Sequence, residues 1–152
     1  SCRKGARKLS RNNILCCKNW IFSYGDSGSH DKGMIKGQLI DNAPYVTIPL
    51  AWGQAVQDIV AKIDTAFDGD VKVSSARATQ LNIPISHIEN IRLADGQLVT
   101  MPSAIAYVEL KGLVDSVEVL LASGDPIIGN GFMKKFDIVL TIDYPHQVVE
   151  LE

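Results

Sequence analysis

The residues best suited to chemistry lie in the stretch IDTAFDG, residues 63–69. An apolar run there delivers the carboxylate of Asp64, followed at once by the hydroxyl of Thr65 and the small side chain of Ala66. A carboxylate at the end of a buried strand is partly desolvated and held by local hydrogen bonds, as a general acid or base requires. Asp, Thr and Gly are also common turn residues, so the stretch by itself is better explained as an ordinary turn.

The composition indicates one globular domain. The chain has 152 residues, 46% of them hydrophobic and 21% charged, which is enough for one core and leaves no room for a large second domain. The apolar runs are short and interrupted by charge, whereas a membrane-spanning helix needs about 20 apolar residues. The sequence therefore predicts a soluble protein with no membrane partner, and the missing signal peptide makes the cytoplasm the default location.

Charge divides the chain into two parts. Residues 1–33 contain seven Lys or Arg and two Asp, whereas residues 34–152 contain eight Lys or Arg and fifteen Asp or Glu. The acidic balance of residues 34–152 argues against nucleic acid as a partner of that part. All three cysteines also lie in the first part, so no disulfide is expected to hold the main domain together.

The first 33 residues are predicted to be a poorly ordered, basic, cysteine-containing leader, either a natural arm or a remnant of an expression tag. Their cysteines and histidine lack the paired C-x-x-C spacing of a zinc module, so neither a metal nor a cofactor is expected: Cys2, Cys16, Cys17 and His30. The domain itself is predicted to begin at Met34 and to run to residue 152.

From Met34 onward the pattern predicts short strands separated by turns. MIKGQLI (34–40), YVTIPLAW (45–52) and AVQDIVAKIDT (55–65) are rich in β-branched and aromatic residues, and the GQ pair at 53–54 predicts a hairpin between the second and third runs. Within the third run, Ile59, Ala61 and Ile63 are expected to share one face because side chains alternate along a strand.

The second half continues the same pattern. An Asp-Gly pair in IENIRLADGQLVTMP predicts a tight hairpin, and SAIAYVELKG, DSVEVLLA, DIVLTID and QVVELE predict further strands. Two short helices are expected: SARATQLN, capped by Ser74 or Ser75, and GFMKKF, capped by Asn130. About eight strands and two small helices predict an all-β barrel or sandwich.

Other enzyme classes have little support. The histidines are scattered, no G-x-S-x-G motif accompanies them, and His87 and His146 are most simply loop residues near Pro. The GNG at residues 129–131 lacks the Lys and Ser/Thr of a phosphate-binding loop.

Four segments together resemble the single-domain, retroviral-type (retropepsin-like) aspartic proteases, especially their small prokaryotic branch. In order, the segments are AKIDTAFDGDVKV, ATQLNIP, RLADGQLV and PIIGNGFMKKFDIVLTID. They match, respectively, a strand leading into Asp-Thr-Gly, a helix ending near Leu-Gly-Ile, a hairpin flap, and two aliphatic residues and Gly before a short helix and the last strands. The resemblance covers roughly residues 34–152.

The resemblance implies a closed retropepsin-like barrel that acts as a homodimer, because each domain supplies one catalytic Asp and the reaction needs two. The two Asp64 carboxylates would share a proton and activate a water molecule to hydrolyse a peptide bond. It also implies that Thr65 braces the active-site loops across the dimer and that Ile127, Ile128 and Gly129 pack behind the catalytic loop. The flap over a peptide substrate would comprise four residues, Ala94, Asp95, Gly96 and Gln97.

Ala66 departs from the family pattern, which has Gly at that position. If the position requires a positive φ, alanine costs on the order of 1 kcal/mol there. If it requires only space, the added methyl group lies near the path of a peptide backbone. The main expectation is therefore an aspartic endopeptidase, and the alternative is a catalytically silent dimer of the same fold that serves in binding or assembly.

Overall fold

A computed structural model describes residues 33–152, so the predictions made for residues 1–32, including Cys2, Cys16, Cys17 and His30, lie outside the described residues. Residues 33–152 form strands and two short helices. In chain order the elements are β1 (Ile35–Lys36), β2 (Gln38–Ile40), β3 (Ala43–Trp52), β4 (Ala55–Ile63), β5 (Val71–Val73), α1 (Ser75–Gln80), β6 (His87–Arg92), β7 (Leu98–Leu110), β8 (Leu113–Leu121), β9 (Ile127–Ile128), α2 (Asn130–Lys135), β10 (Leu140–Asp143) and β11 (Val148–Leu151).

The β3–β4 hairpin follows the predicted pattern. Trp52 pairs with Ala55 across the two-residue turn, and Gly53 in that turn has a φ of 58°, which glycine adopts at little cost. Ile59, Ala61 and Ile63 are buried on one face of β4, as the period of two predicts. This alternation directs β4 toward the core and brings its C-terminal end to Asp64.

The strands form two sheets. A three-stranded sheet has the order β1-β11-β10, and an eight-stranded sheet has the order β2-β3-β4-β9-β5-β8-β7-β6. An additional pairing of β3 with β7, through Leu50↔Val108 and Ala51↔Tyr107, makes the larger sheet curl back onto itself. The all-β prediction with two short helices is confirmed for the described residues.

The short strand β9 lies between β4 and β5. It runs parallel to β4, through Lys62↔Ile127 and Ile63↔Ile128, and antiparallel to β5, through Val71↔Ile128. A segment distant in sequence is therefore inserted beside the strand that ends at Asp64. This insertion determines the surroundings of the IDTAFDG stretch.

Several sequence predictions need correction. The run MIKGQLI is split at Gly37, whose N–H donates to the Val149 carbonyl oxygen (2.8 Å) instead of continuing one strand. The runs predicted as a hairpin arm and a separate strand join in β7, which is 13 residues long. His87 begins β6 and is therefore not a loop residue. The cap of the first helix, in contrast, agrees with the prediction, because the Ser74 hydroxyl accepts from the Arg77 N–H (3.3 Å).

One continuous core fills the space inside the curled sheet and beneath α2. Its largest fully buried side chains include Ile48, Leu50, Ile59, Ile128 and Phe132. Within residues 33–152, no helix has both the length and the apolar character needed to cross a membrane.

Candidate active site

Parallel pairing of β4 with β9 builds the site. Parallel strands end at the same edge of a sheet, so Asp64, which follows β4, lies beside Gly129, which follows β9. The Asp64 N–H donates to the Ile128 carbonyl oxygen at 3.0 Å, and the Lys62 N–H donates to the Pro126 carbonyl oxygen at 2.9 Å. The backbone that carries the Asp64 carboxylate is therefore held by a second strand.

A local turn orients the Asp64 side chain. The Phe67 N–H donates to the Asp64 carbonyl oxygen at 3.1 Å and closes a four-residue turn. Within it, the Ala66 N–H donates to Asp64 Oδ1 at 3.0 Å. Asp64 is half-buried, whereas Thr65 and Ala66 are exposed. A carboxylate with one oxygen held by a backbone donor at the border of the solvent is placed as a proton-transferring group must be.

Ala66 fits this turn without backbone strain. Six non-glycine residues among the described ones have a positive φ, and Ala66 is not one of them. A left-handed conformation would have made glycine preferable, but this backbone suits alanine as well. The first reason for doubting a catalytic role for the Asp-Thr-Ala sequence is therefore absent.

Two glycines allow α2 to approach the loop closely. A Cβ added at Gly129 would overlap the Phe67 carbonyl oxygen and lie 2.5 Å from that of Gly69, and one added at Gly131 would lie 2.5 Å from Asp70 Oδ1. This approach permits three backbone hydrogen bonds, in which the donors are the N–H groups of Gly129 (3.1 Å, to Asp70), Asn130 (2.7 Å, to Phe67) and Gly131 (3.2 Å, to Gly69). The loop and the start of α2 therefore form one hydrogen-bonded unit.

Asn130 has a role other than the predicted helix cap. It was predicted to cap α2, but Gly129 occupies the N-cap position and Asn130 is the first helical residue. Its side-chain Nδ2 instead donates to the Thr65 carbonyl oxygen at 2.6 Å. Asn130 thus links the helix directly to the residue that follows Asp64. The GNG sequence after two aliphatic residues is the signal from which this contact could have been predicted, because glycines there permit α2 to approach the loop closely.

Asp70 anchors the far end of the loop. Its Oδ2 accepts from Lys135 Nζ at 2.7 Å and from the Glu118 N–H at 3.0 Å. Lys135 Nζ also donates to the Ser116 carbonyl oxygen at 2.8 Å. Asp70 and Lys135 are only 13% and 30% exposed in their side chains, so water screens their interaction less than that of a fully exposed pair. Neither residue was predicted from the sequence to belong to the site.

Glu118 lies beside this anchor. Burial raises the pKa of the Glu118 carboxyl above its usual value, and the carboxylates of Glu89 and Asp70 raise it further. His87 and Lys135 act in the opposite direction and lower the pKa of Glu118. Burial and like charge outweigh the opposing effect of His87 and Lys135 on the pKa of Glu118.

The predicted flap residues lie at the tip of the β6–β7 hairpin. The strands pair up to Arg92↔Leu98, and the connecting residues are 93–97, a longer turn than the Asp-Gly pair alone predicted. The Leu93 N–H donates to the Gln97 carbonyl oxygen at 2.8 Å, and the Gln97 N–H donates to Asp95 Oδ1 at 2.9 Å. The side chains of the tip are exposed, and these hydrogen bonds lie within the hairpin and do not reach Asp64.

Comparison with solved structures decides the fold. A retropepsin-like aspartic protease from Rickettsia conorii superposes with a TM-score of 0.56 at 16% identity, over 78% of this chain and 89% of that one. The chain has a retropepsin-like fold. EIAV protease, solved in complex with an inhibitor, superposes with a TM-score of 0.52 at 16% identity, over 68% of this chain and 96% of that one. No protein-family model matches the chain, and no curated protein matches its sequence.

This fold brings together part of the predicted set. Asp64, Thr65, Ala66, Ile128 and Gly129 lie at the ends of β4 and β9. Hydrogen bonds join Asp64 to Ile128 and to Ala66, whereas Thr65 is bound to Asn130 and Gly129 to Asp70. The hairpin residues form a separate group at the tip, Ala94, Asp95, Gly96 and Gln97. The roles of both groups in catalysis stay predictions.

Proposed function

We propose that this chain is an aspartic endopeptidase that works as a homodimer, with one Asp64 carboxylate from each copy. The observation that carries the proposal is the placement of Asp64. It follows β4 in a retropepsin-like fold, its N–H is held by Ile128, and its Oδ1 is held by the Ala66 N–H. A single carboxylate held in this way can accept or donate a proton, but the proposed reaction needs one group for each task.

In the proposed mechanism the two carboxylates share one proton, because two like charges roughly 3 Å apart cannot both ionise easily. The ionised carboxylate takes a proton from a water molecule, whose oxygen attacks the peptide carbonyl carbon. The protonated carboxyl donates its proton to the carbonyl oxygen, which gives a neutral tetrahedral intermediate. The carboxyl group that took the proton from water then donates it to the amide nitrogen, while the other carboxylate takes a proton from a hydroxyl group of the intermediate. The C–N bond breaks, the amine and a carboxylic acid leave, and the pair of carboxylates again holds one proton.

The surrounding residues have supporting roles in this proposal. Thr65, which is exposed next to Asp64, braces the loop against the loop of the partner copy. Ile128, whose carbonyl oxygen accepts from the Asp64 N–H, and the adjacent Gly129 hold Asp64 in position. The pairing of β3 with β7, two strands that are not neighbours in the order of the larger sheet, supports the closed barrel predicted from the sequence. A barrel of this kind would give the two carboxylates a rigid base, and rigidity keeps the reacting groups in position.

The proposed substrate is an unfolded or extended polypeptide. A peptide held as a strand beneath the β6–β7 hairpin would gain main-chain hydrogen bonds on both sides. The exposed tip, with Gly96 at a φ of 87°, is suited to a hairpin that opens and closes over such a strand.

The central experiment compares Asp64→Asn with Asp68→Asn on an unfolded protein substrate such as a casein. Asp68 lies in the same loop and is exposed, so its substitution controls for loss of charge in this region. Cleavage is expected to fall about 10²- to 10⁴-fold in Asp64→Asn because proton transfer is lost, and to persist in Asp68→Asn. A statine-type peptide should inhibit the wild-type chain. Equal cleavage by both variants would overturn the assignment of Asp64.

Dimerism can be tested through subunit mixing. With random pairing, about a nine-fold excess of Asp64→Asn chain should leave the added wild-type chain about one tenth of its activity, because most of its partners lack the carboxylate. The same excess of Asp68→Asn chain should cause no such loss. A wild-type chain that keeps full activity in both mixtures, or that sediments only as a monomer, would contradict the shared site.

The Ala66→Gly variant separates the proposal from the silent alternative. Because Ala66 has no positive φ, we expect the wild-type chain to cleave and the Ala66→Gly variant to change its activity little. A folded wild-type dimer that cleaves nothing between about pH 3 and pH 8, together with an active Ala66→Gly variant, would identify a binding or assembly module instead.

A further inference from the structure

Three metal-ligating side chains meet outside the candidate active site. They are His87 and Glu89 of β6 and Glu118 of β8, and one ligand atom from each lies within 4.8 Å of the others. His87 and Glu89 are two residues apart and therefore point to the same face of β6. Glu118 reaches them diagonally across β7, where the residue opposite His87 is the short and fully buried Ser103. The cluster therefore joins two strands that are not neighbours.

The distances fit a small divalent cation. His87 Nε2 and Glu89 Oε1 are 3.3 Å apart. In a tetrahedral site with metal–ligand bonds of about 2.0 to 2.2 Å, neighbouring ligand atoms are about 3.3 to 3.6 Å apart. The His87–Glu89 edge already has this length. The ligand atom of Glu118 lies within 4.8 Å of both, so a rotation of its side chain that shortens these two distances would complete a three-ligand face. The half-exposed His87 and Glu89 leave access for the cation and for a water ligand.

The charges of the cluster favour a cation as well. Two carboxylates and an imidazole occupy the site, and among the described residues the ammonium group that acts on Glu118 is that of Lys135. Lys135 is already bound to Asp70 at 2.7 Å and to the Ser116 carbonyl oxygen at 2.8 Å. A bound divalent cation would compensate both carboxylates at once, which a protonated His87 alone would not.

We propose that His87, Glu89 and Glu118 form a binding site for a divalent transition-metal cation, with Zn²⁺ as the best match. One imidazole nitrogen and two carboxylate oxygens, with water in the fourth position, are a donor set that Zn²⁺ accepts readily. The bound ion would tie β6, the first strand of the hairpin, to β8 and so restrain the base of the hairpin. The ion has no part in the proposed peptide hydrolysis, and the site stands whether or not the chain is a protease.

The test measures Zn²⁺ binding to the full chain by titration calorimetry after treatment with EDTA and buffer exchange. Because thiolates bind zinc strongly, the chain carries Cys→Ser substitutions at all three cysteines, which are residues 2, 16 and 17. About one Zn²⁺ per chain is expected to bind at the proposed site. The substitutions His87→Ala and Glu118→Gln should each weaken this binding at least about tenfold, because each removes one of three ligands.

A matched control is available in the same chain. His146 and Asp143 form an exposed imidazole–carboxylate pair of similar length, 2.8 Å, which has no third ligand beside it among residues 33–152. His146→Ala should therefore leave Zn²⁺ binding unchanged. Circular dichroism checks that each variant is folded. If His87→Ala or Glu118→Gln does not fold, Glu89→Gln takes its place, because Glu89 is the third ligand of the cluster.

Hydrogen exchange supplies a second readout that does not depend on the variants. Saturating Zn²⁺ should slow amide exchange in residues 87–92 more than in residues 140–151, which lie in the other sheet. No saturable binding, binding that survives both His87→Ala and Glu118→Gln, or equal loss in His146→Ala would each overturn the proposal. In those cases the cluster is a simple histidine–glutamate ion pair.

Discussion

The candidate catalytic loop, residues 64–70, and the tip of the β6–β7 hairpin, residues 93–97, are both turns that follow a strand, but they are stabilised differently. The loop is held from outside, by β9, by the start of α2 and by Lys135. The tip is held by hydrogen bonds within the hairpin, and its side chains face solvent. External contacts fix a group in position, whereas a turn held only by its own strands is free to move as a unit.

The largest expected effect tests the external contacts directly. Gly129→Ala would place a methyl group against the carbonyl oxygens of Phe67 and Gly69, which are backbone atoms that cannot rotate away. Overpacking of this kind costs about 1 to 3 kcal/mol and at times more, and we expect a loss of at least about 3 kcal/mol in the free energy of unfolding. Urea denaturation followed by tryptophan fluorescence measures the loss.

Gly96→Ala is the matched change in the hairpin tip. A Cβ at Gly96 meets nothing within 4 Å, but its φ of 87° is unfavourable for alanine. The expected loss is about 1 kcal/mol, from backbone strain alone. If Gly129→Ala cost no more than Gly96→Ala, the close packing of α2 against the loop would not be a main source of rigidity, and the contrast between the regions would fail.

Local signals predicted the elements on both sides of this contrast. Alternation along β4 predicted which side chains are buried, and the Gly-Gln and Asp-Gly pairs predicted the turns, because side-chain periodicity and turn chemistry act over a few residues. Strand lengths were less predictable. IENIRLADGQLVTMP and SAIAYVELKG were predicted as separate elements, yet the ladders with β6 and β8 run through Pro102 and Ser103 as one strand, β7.

The contacts around the site were harder to predict because they join distant segments. Asn130 meets Thr65 and Lys135 meets Asp70 across 65 positions in the chain, and both contacts depend on the insertion of β9 between β4 and β5. A six-residue helix gives no periodicity from which its inward side chains could be read. The cluster of His87, Glu89 and Glu118 was not predicted for the same reason, because Glu118 lies two strands away from the other two residues.

An intermediate effect is expected from the anchor of the loop. Asp70→Asn removes the charge that Lys135 binds at 2.7 Å while keeping the shape of the side chain. Hydrogen bonds to charged groups contribute about 1.5 to 3 kcal/mol, and partial exposure reduces this, so we expect a loss of about 1 to 2 kcal/mol. Lys135→Met should cost at least as much, because it leaves the less exposed partner, the Asp70 carboxylate, without its cation.

A double-mutant cycle between Asp70→Asn and Lys135→Met measures the coupling in this anchor. Asp143→Asn provides the exposed comparison, since Asp143 pairs with a His146 side chain that is 77% exposed. That change should cost well under about 1 kcal/mol. A coupling energy near zero between Asp70 and Lys135 would mean that backbone hydrogen bonds alone hold the loop.

The smallest expected effect concerns Glu118, whose N–H donates to Asp70 of the loop and whose carboxyl group faces His87 and Glu89 at the base of the hairpin, away from its tip. Burial and the carboxylates of Glu89 and Asp70 raise the pKa of Glu118, against the opposing effect of His87 and Lys135. The folded chain therefore binds this proton more tightly than the unfolded chain. Between the unfolded and folded pKa values of Glu118, stability falls as pH rises.

Replacement of Glu118 by Gln removes this dependence, so with EDTA present the Glu118→Gln variant should be more stable than the wild-type chain at about pH 7. The difference should become small at about pH 3, where Glu118 is almost fully protonated in both states. Glu89→Gln removes one cause of the raised pKa of Glu118 and should give a smaller gain of the same sign. Thermal unfolding across this pH range measures the gains. A gain of equal size at both pH values would show that Glu118 acts through packing and not through its charge. The loop and the base of the hairpin would then not be coupled electrostatically through Glu118.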